Sequence, residues 1–231
     1  DARVRRSGNL SLDRQNLIKL NDNMGVMGAA LHPFGAWGLT PDELSKMPGY
    51  RQPKTQDIAE AKKLMAEAGY AGGFKTTMLN RTGRAGRLAP AVKEQLAAVG
   101  IDVQIDNQEQ SAIQEKMNAK NIDTVWWGYA EPIDDPDPPF AAIYATNGPR
   151  NSGSFSDPEL DAMFQEQQRT LDAARRKQIV RKMQERVLEV AAYPVGFWDV
   201  YQRGFWNEVK DFIPGPGPYV NLKLDRVWLD R

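Results

Sequence analysis

Residues 74–129 decide the fold, and they read FKTTMLNRTGRAGRLAPAVKEQLAAVGIDVQIDNQEQSAIQEKMNAKNIDTVWWGY. Three short runs in this stretch have strand character, and the middle one alternates apolar and polar residues with the strand period of two. The predicted strands are Phe74–Leu79, Ile101–Asp106 and Ile122–Tyr129. Between them, apolar spacing predicts a helix over 88–99, ended by Gly100, and a short helix around Ile113. Strands that alternate with helices over short links predict an α/β fold with a mixed, partly parallel sheet flanked by helices.

The rest of the chain is mostly helical in pattern. Apolar spacing predicts one helix over residues 1–20, a second over 55–69 and a highly charged one over 172–190. We expect Thr55 to cap the second helix and Gly69 to end it in a left-handed conformation. Another helix should begin at Pro158, capped by Asp157 or Ser156. Residues 21–54 carry Gly and Pro throughout and predict loops, and residues 193–206 read as strands.

Composition narrows the class of function. Lys plus Arg and Asp plus Glu are equal at 30 each, and this balance argues against a nucleic acid partner. There is no Cys and only one His, His32, so a metal site or a cysteine nucleophile is disfavoured and we expect neither metal nor cofactor. No apolar run is long enough to span a bilayer, so we expect no direct membrane insertion of this segment.

The stretch WWGYAEPIDDPDPPF, Trp126–Phe140, is the candidate site. It follows a predicted strand of the sheet and combines aromatic side chains with four acids and four prolines, too many prolines to continue as helix or strand. In sheets of this kind, ligands lie beyond the carboxyl ends of the strands. Trp126 and Trp127 are adjacent on a strand and should therefore point to opposite faces.

Six segments together resemble one family. They are RVRRSGNLSLDRQNLI, AEAKKLMAEAGYAGGF, VKEQLAAVGIDVQID, WWGY before DDPDPPF, NGPRNSGSFSDPELDAMF and VWLD. Their order and spacing are similar to those of periplasmic oligopeptide-binding proteins, the extracellular solute-binding subunits of ABC importers in the peptide/nickel/opine cluster. Such proteins have two lobes joined by a hinge. The resemblance implies that residues 1–199 are the ligand-binding C-terminal lobe and that residues 200–231 are a tail returning to an N-terminal lobe. The start without Met adds the expectation that the chain is a fragment.

The resemblance also implies ligand contacts. The family's ammonium-binding Asp corresponds to Pro132 here, so Glu131 and Asp134 are the acids nearest to that position. An arginine-bearing loop, NRTGRAGR, matches a ligand-lining loop and contributes Arg84, which could receive a carboxylate or phosphate. The other implied contacts are Trp126, Tyr129, Gln110, Gln114 and Met117.

The function that this resemblance implies is non-catalytic binding of a peptide or peptide-like solute in the periplasm or outside the cell. The implied partners are ABC transporter permease subunits, through which the protein would associate with the membrane. One alternative is a sugar-binding module or a glycoside hydrolase that uses Glu131, Asp134 and Asp135, although hydrolysis needs two carboxylates across a cleft. A further alternative is a protein-interaction module that uses exposed aromatics, namely Trp198, Tyr201, Phe205 and Trp206.

Overall fold

The computed structural model of the protein describes residues 1–83, 86–130, 133–200, 202, 204–213 and 224–230. The first third of the chain combines helices with the loops of residues 21–54. Its elements are α1 (Ala2–Ser11), α2 (Arg14–Leu20), β1 (Gly25–Val26), α3 (Pro41–Ser45) and α4 (Thr55–Glu67). The loops predicted over residues 21–54 are interrupted only by β1 and α3 among these elements.

The middle of the chain forms the sheet. Its elements are β2 (Phe74–Arg81), α5 (Ala89–Ala97), β3 (Ile101–Gln108), α6 (Gln110–Asn118) and β4 (Thr124–Trp126). The strand order is β3-β2-β4, and β2 is parallel to both neighbours, with Phe74 opposite Ile101 and Asn80 opposite Trp126. The predicted α/β fold with a partly parallel sheet is therefore confirmed.

The last third adds helices and three short strands. Its elements are α7 (Asp137–Pro139), a π-helical turn (Phe140–Tyr144), α8 (Pro158–Arg169), α9 (Ala173–Val190), β5 (Trp198–Asp199), β6 (Val209–Lys210) and β7 (Trp228–Leu229). Strand β5 pairs antiparallel with β1, and β6 pairs antiparallel with β7. Strands were predicted over residues 193–206, and the described residues of this range form only β5. No helix in the described part of the chain is both long and apolar enough to cross a membrane.

The single helix predicted over residues 1–20 is wrong, because the chain breaks between α1 and α2. Leu12 adopts an extended conformation, with φ −67° and ψ 115°. Asp13 then caps α2, since its carboxylate accepts a hydrogen bond of 3.1 Å from the backbone N–H of Asn16. An Asp competes well for free N–H groups at a helix start, which favours a new start over continuation.

Strand β4 is shorter than predicted, with three residues instead of eight. It lies at the sheet edge and pairs only with β2. One step before the ladder begins, the N–H of Thr77 donates to the side chain of Asp123 at 3.2 Å instead of to a backbone carbonyl. The carboxylate thus occupies the place of a ladder partner, and the strand begins only at Thr124.

Two helix starts also differ from the prediction. Thr55 was expected to cap α4, but it is the first helical residue, and the capping position is occupied by Lys54. Lys54 provides no side-chain cap, and its ammonium pairs with Asp57 at 2.6 Å. The proline-rich stretch, expected to be neither helix nor strand, is helical over α7, because prolines in a first turn forfeit no helical hydrogen bond. Gly69 is left-handed, with φ +87°, and Asp157 caps α8, both as predicted.

Two apolar cores hold these elements together. The sheet core joins α1, α2, α4, α5 and the sheet, and it includes Leu10, Leu17, Met65, Met78, Val92 and Val103. The helical core joins the π-helical turn, α8 and α9, and it includes Phe140, Tyr144, Leu160, Ile179 and Met183. A smaller group, the Ile113 cluster (Leu79, Ile113 and Met117), packs α6 against β2. Burial of this apolar surface is the main stabilising contribution.

Arg14 is buried and ties separate parts of the fold together. The residue is only 1% exposed, and the central carbon of its guanidinium lies 4.0 Å from the ring centre of Tyr50. Nε donates to the carbonyl of Val195 at 2.8 Å, and Nη1 donates to the carbonyl of Gly49 at 2.5 Å. Nη2 donates to Oδ1 of Asn9 at 2.6 Å. The three acceptors come from parts of the chain that are far apart in sequence.

We expect Arg14→Met to lower the free energy of unfolding by about 3 kcal/mol or more, because it removes the guanidinium that donates to Asn9, Gly49 and Val195 in a largely buried site. Arg14→Lys should recover only part of that loss, since a single ammonium cannot replace the planar guanidinium. Urea denaturation of the full chain is the measurement. The control is Arg6→Met, which removes an exposed pair with Glu60 at 3.9 Å and should change stability by less than about 1 kcal/mol. An Arg14→Met midpoint equal to the parent's would contradict this role.

Candidate ligand-binding site

The carboxyl ends of β2 and β3 meet at one edge of the sheet because the strands are parallel. Arg81, the last residue of β2, donates from Nη1 to Oε1 of Gln110 at 2.7 Å. The next residue, Thr82, donates from its hydroxyl to Glu109 at 3.3 Å. These contacts fasten the loop after β2 to the start of α6. Gln110 is exposed at this edge, as the sequence prediction of a ligand contact requires.

Helix α6 carries three predicted contact residues, and the structure separates them. Gln114 is exposed and donates to Asn118 at 2.9 Å, one turn further along the helix. Met117 is only 3% exposed and packs within the Ile113 cluster. The structure therefore places Gln110 and Gln114 on the surface and Met117 in the interior, where a ligand at this edge does not reach its side chain.

Trp126 and Trp127 lie on opposite faces, as predicted. Trp126 packs against the sheet core and so closely on Gly196 that a Cβ there would lie 2.6 Å from Cη2 of the indole. Trp127 packs against the Ile113 cluster on the other side. Both are half-buried. Trp126 thus has a clear packing role. Trp127, which the sequence analysis did not select as a ligand contact, is the tryptophan whose ring lies near the Arg81 guanidinium.

Tyr129 lies beyond β4 and is half-buried, in contact with both the helical core and the Ile113 cluster. Its hydroxyl donates to the carbonyl of Arg150 at 3.4 Å, and the Arg150 guanidinium lies 5.8 Å from the centre of its ring. Burial, with a further contribution from Tyr193, raises the pKa of the Tyr129 hydroxyl above its usual value. Tyr129 therefore remains a neutral donor with an apolar ring at physiological pH.

The acids of the loop after β4 are used within the fold. Arg84 and Glu131, two of the predicted contacts, lie outside the described residues. Asp134 is exposed, and its Oδ2 accepts a hydrogen bond of 2.8 Å from the N–H of Ala36. Its backbone carbonyl accepts from the indole of Trp37 at 3.3 Å. Asp134 therefore anchors the loop around residues 32–38.

Asp135 forms an ion pair with Arg176 of α9 through both of its oxygens. The guanidinium of Arg176 donates to the two carboxylate oxygens of Asp135 at 2.9 and 3.0 Å. The backbone N–H of Asp137 also donates to this carboxylate, at 2.8 Å. Burial alone would raise the pKa of Asp135, but the hydrogen bonds from Arg176 and Asp137 outweigh it and hold the pKa below its usual value. The same guanidinium lies 4.7 Å from the ring centre of Trp37. The partners are 41 positions apart in the sequence, so no local sequence pattern predicts this pair.

This arrangement does not support a hydrolytic site. Asp134 is bound to a backbone N–H, and Asp135 is neutralised by Arg176. Two carboxylates facing each other across a substrate would have to be free for acid and base roles. Among the described residues, no three His, Asp or Glu side chains are grouped closely enough to hold a metal ion.

The aromatics that suggested a protein-interaction module fall into different environments. Trp198 is half-buried, donates to the carbonyl of Ala29 at 3.0 Å and meets His32 edge-on at 5.3 Å. Tyr201 lies outside the described residues. Phe205 and Trp206 are 53% and 82% exposed. Only the last two are therefore available, among the described residues of this group, to contact another surface.

The fold is an α/β sheet with half-buried aromatics and amides at its strand ends, an arrangement suited to binding a solute. Residues 1–151 match the family described as "Bacterial extracellular solute-binding proteins, family 5 Middle". Because this match covers more than half of the 231 residues, the chain belongs to that family. Proteins of this family bind solutes and are not enzymes, so the non-catalytic prediction is confirmed and the glycoside hydrolase alternative finds no support.

Curated relatives agree with this assignment. The chain is 26% identical over 206 residues to the periplasmic oligopeptide-binding protein OppA of Escherichia coli (strain K12), covering 86% of this chain and 37% of OppA. It is 24% identical over 235 residues to the glutathione-binding protein GsiB of the same strain, covering 90% of this chain and 44% of GsiB. The chain thus spans less than half the length of the relatives it matches.

Solved structures share the fold. One is the periplasmic binding protein DppA of Helicobacter pylori in complex with the peptide STSA, with a TM-score of 0.80, 22% identity and coverage of 100% of this chain and 44% of that one. Another is AppA of Bacillus subtilis in complex with a nonapeptide, with a TM-score of 0.78, 19% identity and coverage of 100% and 48%. The fold is therefore that of part of a periplasmic binding protein.

The ion pair at Asp135 makes stability depend on pH. Because the folded-state pKa lies below its usual value, the carboxylate stabilises the fold above the unfolded pKa of about 3.9, and this contribution is lost as pH falls through the folded pKa. We expect Asp135→Asn to lower the free energy of unfolding by about 1–2 kcal/mol at pH 7 and the difference from the parent to shrink below about pH 4. Urea denaturation at a series of pH values is the measurement.

Asp102→Asn is the matched control, since Asp102 is exposed on β3 and has no side-chain hydrogen bond or ion pair within the described residues. It should follow the parent within about 0.5 kcal/mol at each pH. A difference between parent and Asp135→Asn that stays constant from pH 7 down to pH 3 would rule out the Asp135 charge as its cause.

Proposed function

We propose that this chain is the ligand-binding part of a periplasmic solute-binding protein that serves an ABC importer, with a peptide or peptide-like ligand. The observation that carries the proposal is the family match over residues 1–151. The names of two relatives, oligopeptide-binding OppA and glutathione-binding GsiB, support a peptide or a peptide-like molecule. Both ligands present amide groups and termini that suit side chains of the kind found at the strand ends.

We assign residues 1–199 to the C-terminal lobe and residues 200–231 to a tail that reaches an N-terminal lobe. Coverage of less than half of each relative supports a lobe of a larger protein. The exposed apolar side chains near the end of the chain also support a second surface against them; they are Phe205, Trp206, Ile213, Leu224, Trp228 and Leu229. In this proposal the ligand is enclosed between the two lobes.

The protein would deliver its solute to permease subunits and associate with the membrane through the transporter. The periplasmic name of OppA supports that compartment. An oxidising compartment is also compatible with a chain that has no cysteine.

The proposed ligand contacts lie at the strand ends. Tyr129 supplies a ring for stacking, and Gln110 and Gln114 supply amides that can bond to a peptide backbone. The other proposed contacts are Glu131, Asp134, Arg84 and Trp126, whose ring packs against Gly196. Met117 would contribute only through its packing beneath Gln110 and Gln114, since its side chain is buried.

We expect Tyr129→Ala and Gln110→Ala to weaken peptide binding by about tenfold each in the full-length gene product, because the first removes a ring for stacking and the second an amide that can bond to a peptide backbone. The measurement is calorimetry with the peptide that native mass spectrometry finds bound to the protein purified from its host. Gln165→Ala, on an exposed position of α8, is the control and should bind as the parent does. Unchanged affinity in both site variants, with folding retained, would place the ligand elsewhere.

A second experiment tests the lobe assignment. The 231-residue chain alone should bind the same peptide at least about 100-fold more weakly than the full-length product, because half of the enclosing surface is then missing. Calorimetry on the two proteins side by side provides the comparison. Equal affinities would show that the chain is a complete binding unit, and co-purification of an oligosaccharide instead of a peptide would favour the sugar-binding alternative.

A further inference from the structure

Two arginines and two aromatic rings form a row on one face of the strand end. Trp127 and Tyr129 are two residues apart, and both pack against the Ile113 cluster. The guanidinium of Arg81 lies 5.8 Å from the ring centre of Trp127, and that of Arg150 lies 5.8 Å from the ring centre of Tyr129. The order along the row is therefore cation, ring, ring, cation, and the row reaches from the end of β2 to the loop before α8.

Neither arginine is neutralised by the fold. In the part of the chain that the structure describes, Arg81 and Arg150 form no ion pair. Arg87, which lies after β2, differs from both because its guanidinium forms an ion pair with Asp22 at 2.9 Å. Arg81 uses one nitrogen atom on the neutral amide of Gln110. The positive charges of Arg81 and Arg150 therefore remain at the surface.

The acids near this face have other partners. Asp135 belongs to Arg176, and Asp137 accepts hydrogen bonds from Gln167 at 2.6 Å and Gln168 at 3.2 Å. Asp106 lies 3.7 Å from Lys116. Among the described acids that follow β4, Asp135 is thus paired with a cation, and Asp134 and Asp137 accept hydrogen bonds from N–H groups of the fold, whereas Arg81 and Arg150 form no ion pair.

A guanidinium over a ring is well placed to receive an anion. The ring supports one face of the planar cation and limits its rotamers, while the N–H groups at its edge still point outward. A carboxylate can then accept two parallel N–H bonds, the geometry in which arginine binds anions best. Two such cations, one at each end of a pair of rings, fit a chain-like ligand that carries more than one carboxylate.

We propose that this face selects acidic peptides, with Arg81 and Arg150 receiving carboxylates at separate positions of the ligand. The inference rests on the proposed function of peptide binding and narrows its ligand class. It also reverses the sign of the charge that the acidic loop after β4 suggests, since that loop would instead favour an ammonium group.

The test offers the full-length gene product a pool of synthetic tripeptides in which every position is varied. Peptides that stay bound after gel filtration are counted by mass spectrometry. Glu and Gln have nearly the same shape, so the ratio of Glu-containing to Gln-containing peptides isolates the effect of charge. We expect an enrichment of Glu of about tenfold or more, as a charge-assisted hydrogen bond provides.

Arg81→Gln and Arg150→Gln should each reduce this enrichment several-fold while peptide capture continues. Arg169→Gln is the matched control, because Arg169 lies on the exposed surface of α8 and forms no ion pair within the described residues. It should leave the ratio unchanged. Thermal unfolding of each variant shows whether it is folded.

The outcomes separate the two levels of the proposal. Capture of peptides with Gln as often as Glu, or an enrichment that both arginine variants retain, overturns the selection of acidic peptides and leaves peptide binding intact. If no peptide of the pool is captured by the parent protein, the proposed function itself fails and the inference fails with it.

Discussion

The burial of one guanidinium constrains the whole fold. Arg14 can be withdrawn from water only if acceptors surround it, and these come from Asn9, Gly49 and Val195. Gly49 must in turn be left-handed, with φ +90°, and its N–H donates to the fully buried Asp57 at 3.1 Å. Helix α1, the loop before α4 and the chain that leads into β5 are thereby fixed relative to one another. The sheet and its strand ends are built on that frame.

The sequence predicted those parts of the fold that local periodicity determines. The parallel sheet, the left-handed Gly69 and the Asp157 cap follow from spacing and from the intrinsic preferences of single residues. Two of the errors have a local cause, since Asp13 begins a new helix and Lys54 pairs with Asp57 three residues further on. Another has a distant cause, since Asp123 delays the start of β4 by accepting from the N–H of Thr77, 46 positions away. Long-range partners of this kind have no signature in a local window.

The candidate site was predictable in its position more than in its chemistry. A loop beyond the carboxyl end of a parallel strand is a common ligand position, and Tyr129 and Gln110 lie there. The charges were harder to judge. A run of acids looks like a cation site in the sequence, but Arg176 and Ala36 of other segments engage Asp135 and Asp134. Which charge remains available at a surface depends on the partners of every charged group, and only the folded chain reveals those partners.

The register of β4 connects the fold to the site. With only three paired residues the strand is weakly specified, and a slip by one residue would send Trp126 to the outer face and Trp127 inward. Two contacts oppose that slip. The carboxylate of Asp123 holds the N–H of Thr77 before the ladder, and the indole of Trp126 fills a space that exists only because residue 196 is glycine. Trp127 and Tyr129 are consequently held on the face where Arg81 and Arg150 lie. The proposed binding surface therefore depends on the packing of Trp126 against Gly196 in the core.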